Sequence, residues 1–200
     1  SPAAREILRE WANQYLRSEN PRTPSEDDMR GMISLLHKGK ESTDNTSDWR
    51  PVVLLDAVNQ LLGHIVNQRL RDIVEKAGIL EPGQGGYREH RSTDINTAKM
   101  RRLTIRAKRQ KQQLLRIDLD FTNAYNAMSQ PALWAIMRAF NIPDVDLLEA
   151  MYKHSTVRMK PNSDQNATIT FDTGVAQGSV LSPLLFIVFI NALLRVLTRT

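Results

Sequence analysis

The segment from Gln113 to Phe121 constrains the fold more than any other, because apolar and polar side chains alternate along most of it. A period of two is typical of a β-strand with one buried and one exposed face. The pattern therefore predicts a strand that packs on a core and presents carboxylates to solvent. Its apolar members are Leu115, Ile117, Leu119 and Phe121, and its polar members are Arg116, Asp118 and Asp120.

Asp120 lies near the end of this predicted strand, on its polar face. A carboxylate in that position suits a hard cation, because Mg²⁺ binds one or two carboxylates and completes its shell with water and phosphate oxygens. The alternative is a structural aspartate that caps the following turn. Taken alone, Asp120 favours the structural interpretation.

Amphipathic spacing and capping residues predict helices around this segment, and short β-prone runs predict strands. Pro51, near the start of the run 50–55, favours an edge position or a strand-initiating position. The predicted architecture is α+β, with helices packed on a small, mainly antiparallel sheet. The predicted helices are 3–17, 56–77, 131–140, 144–152 and 181–197, together with a basic helix that is capped at 92–94 and contains the basic run that starts at 99. The predicted strands are 32–36, 50–55, 113–121, 156–160 and 168–171, the last two forming a hairpin around 161–166.

The chain has 200 residues, a net charge of +5 and no cysteine. The lack of cysteine excludes a disulfide scaffold or a thiolate metal site and agrees with a reducing, intracellular location. Basic residues are concentrated between Lys99 and Arg116, a stretch that contains no Asp or Glu. Such a run favours a surface that faces phosphates, and a solvated helix face is the alternative.

The most apolar stretch of the chain, Val180–Leu194, resembles a membrane span only superficially. It is shorter than the roughly 20 apolar residues that a bilayer requires. It also contains Ser182, Pro183 and Asn191. We therefore expect a buried helix and no contact with a membrane.

The heptapeptide DFTNAYN at residues 120–126 resembles the first palm motif of reverse transcriptases, in which Asp is followed after three residues by Ala, an aromatic residue and Asp or Asn. The resemblance implies that Asp120 is a catalytic residue and a metal ligand. It also implies that Tyr125 lies beneath the sugar of the incoming nucleotide and excludes a 2′-hydroxyl. Asp118 is expected to tune the site without binding metal.

Residues 173–194, which begin TGVAQGSVLSP, resemble the second palm motif of the same family. The resemblance implies that Gln177 contacts the incoming nucleotide. It assigns contacts with the template or primer to Gly174, Gly178 and Ser179. Ala176 stands where the family often has proline, which loosens the loop without changing a polar group.

Two earlier segments, HKGKESTDNTSDWRPVVLL and QGGYREHRST, resemble the fingers motifs of the family. An arginine fork can hold a phosphate through two hydrogen bonds, and lysines add point charges. The resemblance implies that the triphosphate is bound by Lys38, Lys40, Arg50 and Arg88. The template and primer surface would include Arg91, Arg102, Arg106 and Arg109.

The order of these segments implies the fingers and part of the palm of an RNA-directed DNA polymerase, most similar to the non-LTR retrotransposon branch and next to group II intron proteins. Residues 1–112 are expected to form an N-terminal extension and the fingers, and 113–200 part of the palm, with 130–170 contributing to the fingers. The implied partners are an RNA template, a DNA primer and a deoxynucleoside triphosphate (dNTP). The implied cofactor is Mg²⁺, with Mn²⁺ as a substitute.

The family's aromatic-Ala-Asp-Asp motif is not found after Gln177. Two-metal phosphoryl transfer needs carboxylates from both palm motifs. We therefore expect a fragment that is inactive alone and whose exposed palm surface promotes self-association. The alternative is a non-catalytic module of this fold that binds nucleic acid or protein. Tyr125 disfavours a third possibility, an RNA-synthesising polymerase.

Overall fold

The computed structural model describes residues 2–16, 21–39, 44–159, 168–170 and 172–198. Within these ranges the chain forms α-helices, one short 3-10 helix at Thr46–Asp48 and a sheet. The elements are α1 Pro2–Leu16, β1 Arg30–His37, β2 Trp49–Leu55, α2 Ala57–Lys76, α3 Thr93–Arg109, α4 Gln130–Ala139, α5 Val145–Lys153, β3 Thr156–Met159, β4 Thr168–Thr170 and α6 Ser182–Thr198.

The sheet has the strand order β2-β1-β3-β4. β1 pairs antiparallel with β2, placing Ile33 opposite Val53, and parallel with β3, placing Gly31 opposite Val157. β3 and β4 form the predicted antiparallel hairpin. The α+β class and a mainly antiparallel sheet are therefore confirmed. The edge position that Pro51 predicted for β2 is confirmed as well.

The main core lies among the helices, away from most of the sheet. α2 contributes an i, i+4 stripe of fully buried side chains, and α6 contributes a broader apolar face. Removal of each such side chain from water stabilises the fold by about 1.5–3 kcal/mol. The buried residues are Leu62, Val66, Leu70 and Val74 of α2 and Leu184, Leu185, Ile187 and Val188 of α6.

One buried amide joins α6 to the chain that leaves α2. The side chain of Asn191 has no exposed surface. Its Oδ1 accepts a hydrogen bond from the backbone N–H of Glu81 at 2.7 Å, and its Nδ2 donates to the carbonyl oxygen of Ile79 at 2.8 Å. Arg195 donates to the same carbonyl at 2.8 Å. This pairing fixes the start of the glycine-rich loop, residues 81–91.

The predicted strand at 113–121 is wrong, because residues 112–121 have no regular secondary structure. Leu115, Ile117 and Leu119 are 83%, 72% and 70% exposed. A strand forms only against a neighbouring strand that satisfies its N–H and C=O groups. Within the described ranges no strand pairs with this segment.

The predicted helices are confirmed, and their observed ends differ from the predicted ends by one to a few residues. Ser92 caps α3 by accepting a hydrogen bond from the N–H of Ile95 at 3.3 Å. Asp56 precedes α2 as predicted, but its side chain makes no capping bond. Among the described residues no helix is long and apolar enough to cross a membrane. Lys40 and the predicted turn at 161–166 lie outside the described residues.

Candidate active site

The turn at residues 122–128 and the loop at residues 172–181 are joined by backbone hydrogen bonds. Val175 N–H donates to the carbonyl oxygen of Tyr125 at 2.8 Å, and Gly174 N–H donates to that of Met128 at 2.7 Å. The buried amide of Gln130 donates to the carbonyl oxygen of Gly174 at 3.0 Å. The two segments that resemble palm motifs therefore form one rigid unit.

Gly174 is required at the centre of this unit for two reasons. Its φ of +76° lies in the left-handed region. A Cβ at this position would lie 2.6 Å from the carbonyl oxygen of Tyr125 and 2.7 Å from the Cα of Asn126. Gly174 is buried. The backbone of residues 125 and 126 therefore fills the space beside Gly174 in which the template or primer was expected.

The same loop covers the free edge of β2. Val53 N–H donates to the carbonyl oxygen of Gln177 at 2.6 Å. Gly178 has a φ of +117°, and a Cβ there would lie 2.4 Å from the carbonyl oxygen of Val53. Ser182 Oγ closes the loop onto α6 by donating to the carbonyl oxygen of Ala176 at 2.7 Å. The edge strand thus positions Gln177.

A cavity of about 440 Å³, here called the Asp120 cavity, opens between β2, the turn and the loop. It gathers one carboxylate, two cations, one phenol and three side-chain amides from segments far apart in the sequence. An anion that binds a metal fits this combination of charges. Its lining residues are Lys38, Trp49, Arg50, Pro51, Asp120, Phe121, Thr122, Asn123, Ala124, Tyr125, Asn126 and Gln177.

Asp120 lies at the rim of this cavity and is exposed. Its Oδ1 accepts a hydrogen bond from the N–H of Phe121 at 3.0 Å. Asp118 lies away from the cavity lining and forms an ion pair with Arg116 at 2.8 Å. The two carboxylates of the segment therefore have different surroundings, and Asp120 is the one that faces the cavity.

Tyr125 packs against α6. Its ring stacks on Phe186 of α6, with centroids 5.1 Å apart and planes inclined by 19°. Tyr125 and Tyr87 of the glycine-rich loop line a common cavity. Burial, and to a smaller extent the neighbouring phenol of Tyr87, raises the pKa of Tyr125 well above its ordinary value. The phenol is therefore neutral at physiological pH and acts as a shape and a hydrogen-bonding group.

A second cavity, of about 470 Å³ and here called the Tyr87 cavity, lies on the other side of Tyr125 and Gln177. Gly178 and Ser179 line it, as do two residues of α2 and the start of α6. Sequence reasoning missed the α2 residues and Tyr87. The QGGYR segment that contains Tyr87 was the available signal. The lining residues are Gln60, His64, Tyr87, Tyr125, Gln177, Gly178, Ser179, Val180, Ser182 and Pro183.

Arg88 lines neither cavity. Its guanidinium makes a bidentate pair with Glu75 of α2, at 2.9 and 2.7 Å, and donates to the carbonyl oxygen of Glu81 at 3.1 Å. The hydrogen bonds from Arg88 lower the pKa of Glu75. Arg88 therefore anchors the glycine-rich loop to α2, whereas Arg91 is exposed on the same loop.

The basic helix α3 stands apart from both cavities. None of its residues is buried. Arg102, Arg106 and Arg109 lie on one face, with Ile105 and Gln110, along a shallow groove. The spacing of three and four residues places these arginines one above the other. The helix thus presents a row of positive charge to solvent.

Residues 37–200 match the protein family described as "Reverse transcriptase (RNA-dependent DNA polymerase)". The match includes every residue that lines the two cavities. It also includes the predicted site residues of the glycine-rich loop and α3.

Several curated proteins are similar to the chain. The "Probable RNA-directed DNA polymerase from transposon BS" of Drosophila melanogaster is 25% identical over 158 residues, which are 78% of the chain and 17% of that protein. The "Retrovirus-related Pol polyprotein from type-1 retrotransposable element R2" of Popillia japonica is 29% identical over 161 residues, 78% of the chain and 22% of that protein. The chain therefore spans about a fifth of the length of these relatives.

Proposed function

Because the chain belongs to the reverse transcriptase family, we propose that it forms the nucleotide-binding part of an RNA-directed DNA polymerase of the non-LTR retrotransposon type. The proteins of transposon BS and element R2 support this branch. The reaction is attack of a primer 3′-hydroxyl on the α-phosphate of a dNTP, directed by an RNA template inside the cell. Residues 1–112 would serve as the N-terminal extension and fingers, and 113–200 as part of the palm.

The observation that carries this proposal is the composition of the Asp120 cavity. Five polar residues from three parts of the chain line one space: Lys38 and Arg50, Asp120 and Tyr125, and Gln177. Arg50 and Lys38 would bind the triphosphate and stabilise the charge that develops during transfer. Gln177 would donate and accept hydrogen bonds from its amide.

Tyr125 would set the preference for deoxynucleotides. Its ring is fixed by the stack on Phe186, so it cannot easily move away from a 2′-hydroxyl that meets it. A clash of this kind rejects ribonucleotides without any new attraction for deoxynucleotides. Tyr125→Ala should therefore raise ribonucleotide incorporation.

The residues of the cavity fit a divalent cation in part. Asp120 is the one carboxylate among the lining residues, and the described residues contain no cluster of three or more acidic or histidine side chains that could hold a metal. Mg²⁺ tolerates a single carboxylate when phosphates and water complete its shell. Bound Mg²⁺, or Mn²⁺ in its place, supplies charge stabilisation for phosphoryl transfer. Asp120 would hold it.

Template and primer would contact the positive surfaces outside the Asp120 cavity. Arg91 is exposed on the glycine-rich loop, and α3 carries its row of arginines. Phosphate contacts of this kind supply affinity without reading sequence. Gly178 and Ser179 line the Tyr87 cavity and would face the nascent base pair.

Residues 114–121 would pair with a strand supplied by a longer parent protein. Their apolar side chains are exposed, and the relatives are about five times longer than the matched region. A strand with unpaired backbone and apolar side chains recruits another strand. In isolation the 200-residue chain would be inactive and would self-associate through this segment.

Primer extension tests the proposal. A version of the protein that includes the residues following Thr200 in the parent frame should extend oligo(dT) on poly(rA) with Mg²⁺. Asp120→Asn and Asp120→Ala should abolish extension while circular dichroism and primer–template binding stay unchanged. Full activity in both variants would refute the role of Asp120.

A non-catalytic module is the second candidate, favoured by the single carboxylate of the cavity and by the row of arginines on α3. The same assay separates the two. Binding of poly(rA)–oligo(dT) by the longer protein, without extension in Mg²⁺ or Mn²⁺, would establish the binding module instead.

A further inference from the structure

Two polar side chains of α2, those of Gln60 and His64, line the Tyr87 cavity. The two residues are four positions apart, so their side chains lie one above the other on the same face of the helix. His64 is exposed and Gln60 is half-buried. Among the described residues, neither side chain has a hydrogen-bond or ion-pair partner. Their donors and acceptors are therefore available to a ligand in the cavity.

The packing of α2 fixes where these two side chains lie. On the opposite face of the helix, Leu62 and Val66 have no exposed surface. Gly63 is buried as well, and a Cβ at this position would lie only 3.3 Å from Cγ1 of Val180. Val180 is itself part of the cavity wall. The glycine thus lets α2 approach the end of the loop at residues 172–181 and brings its polar face to the cavity.

The Tyr87 cavity differs from the adjacent Asp120 cavity in its charge. Lys38, Arg50 and Asp120 line the Asp120 cavity, and such groups suit a triphosphate and a metal ion. Among the described residues that line the Tyr87 cavity, none is Lys, Arg, Asp or Glu. Its polar groups are side-chain amides, hydroxyls and one imidazole. The Tyr87 cavity therefore suits the uncharged parts of a nucleotide, which are the base and the sugar.

The ribose 2′-hydroxyl is the group of a template nucleotide that best matches these two side chains. A templated polymerase has to accept every base, whereas the donors and acceptors on the base edges change with the sequence. The 2′-hydroxyl is common to all four ribonucleotides, and it both donates and accepts hydrogen bonds. A glutamine amide also donates and accepts, and so does a neutral imidazole.

We propose that Gln60 and His64 determine the preference for an RNA template, by forming hydrogen bonds with the 2′-hydroxyl of the ribonucleotide that pairs with the incoming dNTP. This inference rests on the proposed function, since it requires the dNTP to occupy the Asp120 cavity. Tyr125 and Gln177 line both cavities, so a dNTP in one cavity and its template partner in the other would lie next to each other. The site would reject a 2′-hydroxyl on the incoming nucleotide and bind one on the template.

Single-nucleotide insertion by the full-length parent protein tests the inference. Two RNA templates are compared that differ only in the sugar of the templating nucleotide, which is ribose in one and 2′-deoxyribose in the other. In the wild type, kcat/KM for the dNTP should be higher on the ribose template by about 2- to 10-fold for each hydrogen bond of ordinary net strength. Gln60→Met and His64→Phe remove the hydrogen-bonding groups and keep side chains of similar size. Each should reduce this ratio, and the double variant should bring it to about 1.

Gln68→Met is the matched control on the same helix. The Gln68 side chain donates a hydrogen bond to Asp72 at 3.2 Å and lines neither cavity. This variant should keep the wild-type ratio between the two templates. Circular dichroism of every variant checks the fold, which should be retained because neither Gln60 nor His64 is buried.

The outcomes separate this inference from the proposed function. Equal kcat/KM on the two templates in the wild type, or a wild-type ratio in the double variant, would overturn the role of Gln60 and His64 and leave primer extension unexplained in no other respect. Equal losses on both templates would also overturn it, because the side chains would then contact a group that the two sugars share. If Asp120→Asn and Asp120→Ala extend primers at full rate, the proposed role of the Asp120 cavity fails, and the inference fails with it.

Discussion

Gly174→Ala should be severely destabilising, because this position combines a left-handed backbone with contact against backbone atoms. Its φ is +76°, and a Cβ would lie 2.6 Å from the carbonyl oxygen of Tyr125. If the neighbouring atom belonged to a flexible side chain, it could move away from such a contact. The backbone of residues 125–128 cannot do so without breaking the hydrogen bonds that the carbonyl oxygens of Tyr125 and Met128 accept from the N–H groups of Val175 and Gly174.

The magnitude follows from three contributions. A left-handed conformation costs an L-residue about 1–2 kcal/mol, and the reduced freedom of the unfolded chain returns about 0.4–1 kcal/mol. Overpacking against neighbours that cannot relax adds about 1–3 kcal/mol. We expect Gly174→Ala to lower the free energy of unfolding by roughly 2–4 kcal/mol.

Gly78→Ala is the matched control. Gly78 has a φ of +60° at the end of α2, and no heavy atom lies within 4 Å of a Cβ built there. It therefore isolates the backbone contribution, which should be about 1 kcal/mol. Urea unfolding of the 200-residue chain, followed by circular dichroism, measures both variants. Equal destabilisation of the two would refute the close packing of the turn against the loop.

Three further predictions concern other contacts. Glu75→Gln should destabilise the protein at neutral pH, because the charged pair with Arg88 is lost. The pKa of Glu75 is lowered from 4.5, so the difference in unfolding free energy from wild type should be fully present above pH 4.5 and should vanish as the pH falls through the lowered pKa. Urea unfolding at a series of pH values measures this difference. Asn191→Leu should cost about 1–3 kcal/mol in the same assay, since the N–H of Glu81 loses its partner and the carbonyl oxygen of Ile79 keeps only the hydrogen bond from Arg195. Replacing three arginines of α3 by Gln should reduce the salt dependence of single-stranded RNA binding by about 0.7 per charge, measured by fluorescence anisotropy, with the exposed arginines of α1 as control. The three are Arg102, Arg106 and Arg109.

The helices and the sheet were largely predictable, because their signals are local. The i, i+4 stripe of α2, the serine that caps α3 and the proline within β2 each act within a few residues. The strand predicted at 113–121 does not form. Its alternating pattern lies within one short segment, whereas a strand also needs hydrogen-bonding groups from another part of the chain. A strand needs a partner, and no part of the described chain supplies one to this segment.

The candidate site was predictable in part. Resemblance to family motifs led to Asp120, Tyr125, Gln177, Arg50 and Lys38, and the fold places all of them around one cavity. Which side of the loop each glycine faces could not be predicted, since the closest neighbours of Gly174 and Gly178 are backbone atoms distant in sequence.

Arg88 illustrates the same limit for charged groups. The motif around Arg88 predicts that its guanidinium binds a phosphate. In the folded chain, Nη2 of Arg88 lies 2.7 Å from a carboxylate oxygen of Glu75. The guanidinium group of an arginine matches the geometry of both carboxylate and phosphate, so the fold decides which of these anions it binds. Only the packing of the glycine-rich loop on α2 determines that this anion is part of the protein.

The sequence by itself determined the family, the α+β class and the residue types of the site, because these depend on composition, periodicity and motifs along the chain. The tertiary structure alone decided which of those residues meet. It placed Tyr87 and Tyr125 around one cavity, paired Arg88 with Glu75 of α2 and left residues 115–119 exposed. Contacts between distant segments are set by which backbone and side-chain groups find partners after packing, and a single sequence contains no direct record of that outcome.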